Sequence, residues 1–375
     1  MLGRLRNSFA EVDLGALEHN FHALSALSLP LCPMVKADGY GHGDIQVARV
    51  CERLGARSLG VALIEEGIRL RLAGIQSQIL VFSHFDSLGA EAIVKYRLTP
   101  VVCQFEQLEK LKTSLHESAA YPVHIKFNTG MQRLGFEPED APKLAALFES
   151  ETYFKLEGVC THLVEASDFN EPSGHTQIQI QLMTRIKEVI KAKVQSQVLF
   201  HYQNSSALIS QVKPAFDMAR PGIALYGYLP KLSKNSDISL KPVMSVKSFV
   251  AFIHKVKKGA TASYGGTWKA TKDSVIAVVP IGYADGLPRL LSNKGKVLIG
   301  GMFCPVAGIV TMDSTMVDVT DLVQNKSLAL GDEVVLIGTQ KELAISAADI
   351  AELTGTISYE ILTGMQSRLA RVYLH

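Results

Sequence analysis

Lys36 stands inside Val35-Lys36-Ala37-Asp38-Gly39-Tyr40-Gly41-His42-Gly43, an amine followed at once by a glycine-rich turn. A lysine in such a setting can attack a carbonyl and hold it as a Schiff base. Further along the chain come Asn128 and Arg133, then His162, then His201, Asn204 and Ser205, and finally Arg220, Gly222 and Ile223. Asn204-Ser205-Ser206 opens a short helical stretch, and Pro221-Gly222-Ile223 offers backbone amides. Helix N-termini and glycine amides both donate to phosphate oxygens. Gly39, Gly41 and Gly43 lack the G-x-x-x-x-G-K-[ST] spacing, which excludes a P-loop. With no H-E-x-x-H, no EF-hand and no Cys/His cluster, no metal is expected. Taken singly, each of these residues is ordinary: a lysine after a strand usually snorkels, and a lone histidine is usually structural.

Their positions in the secondary structure make them a set. Apolar runs at 31–35, 59–63, 79–83, 100–103, 123–127, 156–162, 198–202 and 216–220 read as strands. Amphipathic helical stretches lie between them, at 44–55, 64–74, 88–97, 105–115, 141–150 and 178–194. Strand alternating with helix implies right-handed crossovers and a parallel sheet, and eight strands close a (β/α)8 barrel. An open doubly wound sheet is the alternative. In a barrel every residue named above falls on the C-terminal face, where barrel enzymes carry their sites. A lysine for an aldehyde and a phosphate anchor on one rim suggest pyridoxal 5′-phosphate.

Beyond about residue 235 the texture changes. A polar stretch bracketed by prolines at 230–242 reads as a linker, and β-rich runs follow it. The first β-rich run spans 244–256, and 346–355 is the one stretch that looks helical, with Ser346 as N-cap and Gly355 as stop. The chain thus divides into a (β/α)8 TIM barrel at 10–235 and a mainly β C-terminal domain at 236–375, with which residues 1–9 are free to pack. At 375 residues and 47% hydrophobic it can bury a large core, so wholesale disorder is excluded. The 38 basic against 36 acidic side chains leave +2, too little to argue for nucleic acid or an anionic membrane as partner. No apolar run reaches the roughly 20 residues of a membrane helix, and the first nine residues contain no signal-peptide h-region. Five dispersed cysteines without a C-x-x-C pair read as reduced thiols in a cytoplasmic protein.

The segment V-K-A-D-G-Y-G-H-G at 35–43 resembles the cofactor-lysine motif of bacterial alanine racemases. Similar segments follow in the family's order: T-G-M-Q-R-L-G-F at 129–136, N-S-S at 204–206 and R-P-G-I-A-L-Y-G at 220–227. The C-terminal part adds S-Y-G-G-T at 263–267, P-I-G-Y-A-D-G at 280–286, M-D at 312–313, G-D-E-V-V-L-I-G at 331–338 and I-S-Y-E at 357–360. The likeness runs over nearly the whole chain.

The resemblance implies a pyridoxal-phosphate-dependent isomerase that interconverts L- and D-alanine by a two-base mechanism and supplies D-alanine for peptidoglycan. It implies that Lys36 holds the cofactor and serves as the base on the D-face, while Tyr264 serves the L-face. A free phenol titrates near 10, so a tyrosinate at neutral pH costs roughly 4 kcal/mol unless cations assist it. By resemblance His162 and Arg220 supply that assistance, and Arg220 also faces the pyridine nitrogen. Tyr40, Ser205, Gly222, Ile223 and Tyr359 match phosphate-binding positions; Arg133 and the Met312 backbone match those that take the substrate carboxylate. Tyr283 and Tyr359 match residues that narrow the pocket. In the family the tyrosine base comes from a second subunit, so the resemblance implies a homodimer with shared sites.

Departures from the pattern bear on specificity. Lys126-Phe127-Asn128-Thr129 replaces K-x-D-T, leaving Lys126 and Arg133 with one acid fewer and room for an anion such as a carbamate or chloride. Ile309 stands where Arg is usual, and His162-Leu163-Val164 replaces H-F-A. The competing readings are a broad-specificity racemase acting on Ser, Lys or Arg, a pyridoxal-phosphate carrier, and a decarboxylase of related architecture. A carrier would lack the β domain, and a decarboxylase would lack the S-Y-G-G-T and M-D motifs.

Overall fold

The computed structural model describes residues 6–375 apart from 28–29, 116–119, 166–167, 169–170, 172, 214–215 and 230–237. The linker read at 230–242 falls mostly outside the described residues. Two compact units emerge: Leu17–Gly39 with Asp44–Lys241, and Met1–Ala16 with Tyr40–Gly43 and Pro242–His375.

In the first of these units, short aliphatic runs form six parallel strands, paired in chain order: Ser58–Val61, Gln78–Val81, Thr99–Val102, Tyr121–Lys126, Phe154–Cys160 and Leu199–His201. Ser58–Val61 and Thr99–Val102 are buried at every position, as strands covered on both faces must be. Residues 31–34 and 217–221 close the ring. Leu31 bridges Ala219 and Met34 bridges Gly60, both parallel. The Cys32 amide donates to Ala219 O at 2.8 Å, that of Met34 to Pro221 O at 2.9 Å, and that of Asp217 to Phe200 O at 2.8 Å. All eight expected strand segments therefore lie on one ring, and the open sheet is excluded. The first and last are reduced to bridges because Pro30, Pro33 and Pro221 have no N–H for a ladder. Cys32, Leu80, Val101, Cys160 and Met218 fill the interior.

The pairing of Tyr121–Lys126 with Phe154–Cys160 slips by one residue between Val123 and His124, which leaves Glu157 bulged. The slip sets Gly158 against the His124 ring. A Cβ on Gly158 would stand 2.3 Å from His124 Nδ1, so only glycine admits the imidazole here.

The other unit is mainly β. Its large sheet runs Met302–Pro305, Lys296–Ile299, Glu333–Gln340, Met244–Phe249, Phe9–Asp13, Ala370–Leu374, so the N-terminal strand lies between C-terminal ones. A second sheet holds Thr315–Asp318, Ser274–Val279 and Phe252–Val256. The run 244–256 is therefore two strands in two sheets. They part at Val250 and Ala251, whose amides donate to Asp332 O and Val278 O respectively, both at 2.9 Å. The helix Ala347–Thr354 has the expected ends: Ser346 Oγ caps the Asp349 amide, and Gly355 turns left-handed at φ 72°. It is not the only helix. Thr320–Asn325 and Ser358–Thr363 are also helical, each too short to carry a 3.6-residue period in sequence.

Replacing Gly158 by Ala forces the His124 ring or the bulge to move. The expected loss is about 1–3 kcal/mol of stability, read as a lower urea midpoint at unchanged slope.

Candidate active site

Lys36 leaves the ring where 31–34 ends and enters a left-handed turn. Ala37, Asp38, Gly39 and Tyr40 have φ of 52°, 54°, 59° and 53°. Only the glycine takes this conformation freely, and each L-residue in it costs about 1–2 kcal/mol. Neighbouring groups hold the turn. The Ala37 amide donates to Glu66 Oε1 at 2.6 Å, and Asp38 Oδ1 accepts the Asp44 amide at 3.2 Å. Burial pushes the Lys36 amine below the ordinary lysine range, Arg133 pushes it further, and Glu66 opposes both. A desolvated amine whose charged form is disfavoured is the state a carbonyl-trapping lysine needs.

Three of the expected site residues, together with Lys126, act on His162. His162, two residues past Phe154–Cys160, is held near 3, first by burial and then by Arg220, Arg133, Lys126 and Lys36. It is therefore a neutral imidazole at pH 7, and the cations around it are the arginines and lysines. Gln179 fixes the loop that carries it: Nε2 donates to His162 O and to Thr129 Oγ1, both at 3.0 Å, and Oε1 accepts the Val164 amide at 2.9 Å. Lys126 is 6% exposed, and burial lowers its pKa. Among the described residues, the charged groups acting on it include no carboxylate. Asn128, in place of the acid, turns its side chain into its own loop: Nδ2 donates to Gln132 and Glu137, and Oδ1 accepts the Gln132 amide at 2.9 Å.

Arg220 is 5% exposed and lies against neutral acceptors. Nη1 donates to His201 O at 2.9 Å and to His201 Nδ1 at 2.5 Å; Nη2 donates to Thr161 O at 2.7 Å. A guanidinium only donates, so His201 Nδ1 must accept, which places the His201 proton on Nε2. That nitrogen lies 2.9 Å from His124 Nδ1, which accepts in turn. The His124 proton therefore sits on Nε2, a buried atom with no hydrogen-bond partner among the described residues. Burial holds His124 near 4 and His201 well below its ordinary value, so both are neutral links behind a permanent cation.

At the other end of the site, Ser205 begins the helix Ser205–Ile209, which Asn204 caps through the Ala207 amide. Ser205 Oγ accepts the amides of Gly222 at 2.9 Å and Ala224 at 3.3 Å, leaving its O–H to donate elsewhere. Here the Gly222 amide is thus held by Ser205, and Ile223 is buried beside it. In the β-rich unit, Tyr40 and Tyr359 lie with ring centroids 6.0 Å apart. Burial raises both phenols, Tyr359 to about 12, so each is a neutral O–H donor. Tyr264 opens a one-turn 3-10 helix, 71% exposed, after Ser263, whose Oγ donates to Ile309 O at 2.6 Å. Met312 and Tyr283 are also exposed, and their loops are tied by the amides of Tyr283 to Thr311 O and Ala284 to Met312 O, both at 3.0 Å. Lys36 and Tyr264 belong to different units.

Three positioning elements escaped the sequence reading. Glu66 and Gln179 sit within amphipathic helix patterns, where a polar residue reads as solvated. Asp285 is fully buried and receives Arg6 through both carboxylate oxygens, at 2.6 and 2.7 Å, across 279 residues. The only sequence signal was its place in P-I-G-Y-A-D-G.

A barrel rim with a desolvated lysine, a hydroxyl anchor and a buried arginine defines a pyridoxal-phosphate barrel enzyme, and these residues fit that cofactor. Comparison with known proteins identifies the family. A model described as alanine racemase, N-terminal domain, matches residues 12–230, and one described as alanine racemase, C-terminal domain, matches 243–373. The alanine racemase of Halothermothrix orenii is 38% identical, with 98% of this chain and 97% of that protein covered. That of Sorangium cellulosum is 40% identical, with 98% and 99% covered. Among solved structures, alanine racemase of Clostridium difficile 630 superposes with TM-score 0.91 at 33% identity over 99% of this chain and 96% of that one. The Bacillus anthracis enzyme with bound L-Ala-P gives 0.90 at 31%, with 99% and 96% covered. The chain belongs to the alanine racemase family, whose members are pyridoxal-phosphate-dependent isomerases.

The buried imidazoles set a pH dependence of stability. His124, His162 and His201 all titrate below the ordinary 6.5. Below that value the unfolded chain binds protons that the folded chain refuses, so stability falls as pH drops and keeps falling to the folded-state values. Each histidine is expected to remove about 1.4 kcal/mol between pH 7.5 and pH 5.5. Urea midpoints at the two pH values should differ by less in His124→Gln than in the native protein; equal differences would contradict the assignment.

Proposed function

We propose that this chain racemises alanine with Lys36 and Tyr264 as its two acid/base groups. The observation that carries the reading is the desolvated Lys36 amine on a rim where burial, and then the surrounding cations, hold His162 neutral. Bound pyridoxal phosphate supplies the electron sink that makes an amino-acid α-proton acidic. Lys36 holds that cofactor and, once released, exchanges a proton on one face of the α-carbon. Tyr264 exchanges one on the other. His162 is neutral, so positive charge favouring a tyrosinate falls to Arg220 rather than to the imidazole. Arg220 also takes the pyridine nitrogen, with the neutral histidine pair behind it as acceptors. Ser205, Ile223, Tyr40 and Tyr359 take the phosphate, Gly222 supports them by holding the Ser205 oxygen through its amide, and Arg133 with the Met312 backbone takes the substrate carboxylate.

Tyr264 is exposed in its own chain. That supports a homodimer in which it serves the Lys36 of a partner subunit. No helix among the described residues is long and apolar enough to cross a membrane. With the family's chemistry, this supports a cytoplasmic enzyme that provides D-alanine for peptidoglycan, with the barrel unit as the cofactor domain and the β-rich unit completing the partner's site. Ile309 and the Leu163-Val164 pair favour some tolerance for larger amino acids as the second reading.

The test is loss of chirality with deuterium uptake when protein, pyridoxal phosphate and L-alanine are incubated in D2O. The native protein racemises; Lys36→Ala and Tyr264→Phe do not. Shared sites predict complementation. A mixed dimer of the two variants contains one site with both Lys36 and Tyr264, so random mixing restores about a quarter of native activity. No restoration would place both bases in one chain. Inert L-alanine with turnover of L-lysine, L-arginine or L-serine would replace the alanine assignment by the broader one.

A further inference from the structure

We propose that Glu66 is a positioning residue for Lys36: its buried carboxylate ties the peptide directly after the lysine to the helix packed beside it. This inference rests on the reading of Lys36 as the cofactor lysine. Glu66 is 9% exposed, and its two oxygens do separate things. Oε2 accepts the amides of Ala62 at 2.8 Å and Leu63 at 3.1 Å, at the start of the helix Ile64–Leu72. Leu63, the N-cap, has no side-chain acceptor, so Glu66 reaches back as the acidic half of a capping box. One oxygen suffices for that. Oε1 instead accepts the Ala37 amide at 2.6 Å, 29 residues away in sequence.

The Ala37 amide belongs to the first peptide after Lys36 and opens the left-handed turn. The same helix grips the segment again further on. Arg69, three residues after Glu66 and hence on the same face, donates through Nε to Asp44 Oδ2 at 2.7 Å. Asp44 is 3% exposed, and its amide in turn closes on Asp38. One helical face thus fixes both ends of the stretch that sets the direction of the lysine side chain. A turn made of residues that resist it needs such anchors, because without them the chain relaxes and the amine moves. Among the described residues, Glu66 is also the anion that acts on Lys36; Arg133 acts in the opposite sense, and Lys36 in turn acts on His162.

The experiment follows uptake of pyridoxal phosphate by the apoprotein, read as the visible absorbance change, as a function of pH. Its two readouts are the plateau rate, which reports position, and the midpoint pH, which reports the charge facing the amine. Glu66→Gln keeps the size but loses the charge and turns an N–H donor toward amides. The expected result is a lower midpoint and a plateau reduced by about tenfold or more. Glu66→Asp keeps the charge one methylene short, so its midpoint stays native while its plateau falls to an intermediate value. A Glu66→Gln protein with native midpoint and plateau overturns the proposal. So does a plateau that falls only in proportion to folded protein by circular dichroism while the midpoint stays put. Lys36→Ala must show no uptake of this kind; native-like uptake there overturns the assignment of Lys36 itself, whatever Glu66 does.

Discussion

The site depends on how the barrel closes. Lys36 and Arg220 are 184 positions apart, yet the segments that carry them are adjacent because the Cys32 and Met34 amides donate to the carbonyls of Ala219 and Pro221. A ladder of ordinary strands would make this seam rigid along its length. The prolines that interrupt it leave only single bridges, and the chain departs from sheet geometry at the points where it must present the lysine and the arginine. Functional side chains then leave from the most irregular part of an otherwise regular ring. Strain and irregularity in a fold concentrate where a site has to be built.

Electrostatics impose the second constraint. Lys36, Lys126, Arg133 and Arg220 converge, and buried charges without partners are costly. Two kinds of compensation are visible. Arg220 cannot lose its proton, so the fold surrounds it with carbonyls and an imidazole nitrogen. The lysines can lose theirs, and burial moves both in that direction. The same desolvation thus leaves a fixed cation at Arg220 and an amine at Lys36 whose charged form is disfavoured. An imidazole buried among these groups is held neutral, so His162 adds no positive charge to them.

Much of this was legible in the sequence, and the boundary has a physical basis. The strand runs and intervening helical periods depend on residues within about ten positions, so all eight ring segments could be read, including two that survive only as bridges. Lys36, Arg133, His162 and Ser205 were legible because they follow strand ends, where a parallel ring gathers them. Non-local decisions were not legible. The run 244–256 is continuous in hydropathy, but its two halves pair with different sheets, and only the partners decide where it breaks. Gly158 reads as a weak strand position until the His124 ring is seen to need its missing Cβ. Asp285 reads as part of a turn until Arg6 arrives from the far end of the chain.

Glu66 falls between these cases. Its spacing after Leu63 is the local signature of a helix N-terminus, and that part is a matter of three residues. A carboxylate has two oxygens, however, and a cap uses one. Wherever a buried carboxylate caps a helix at a barrel rim, the second oxygen must find a donor or carry the cost of desolvation unrelieved. Here the donor is the amide next to the lysine, so satisfying a helix end also fixes the direction of the reactive amine. Burial, more than the motif itself, turns a generic capping residue into part of the site.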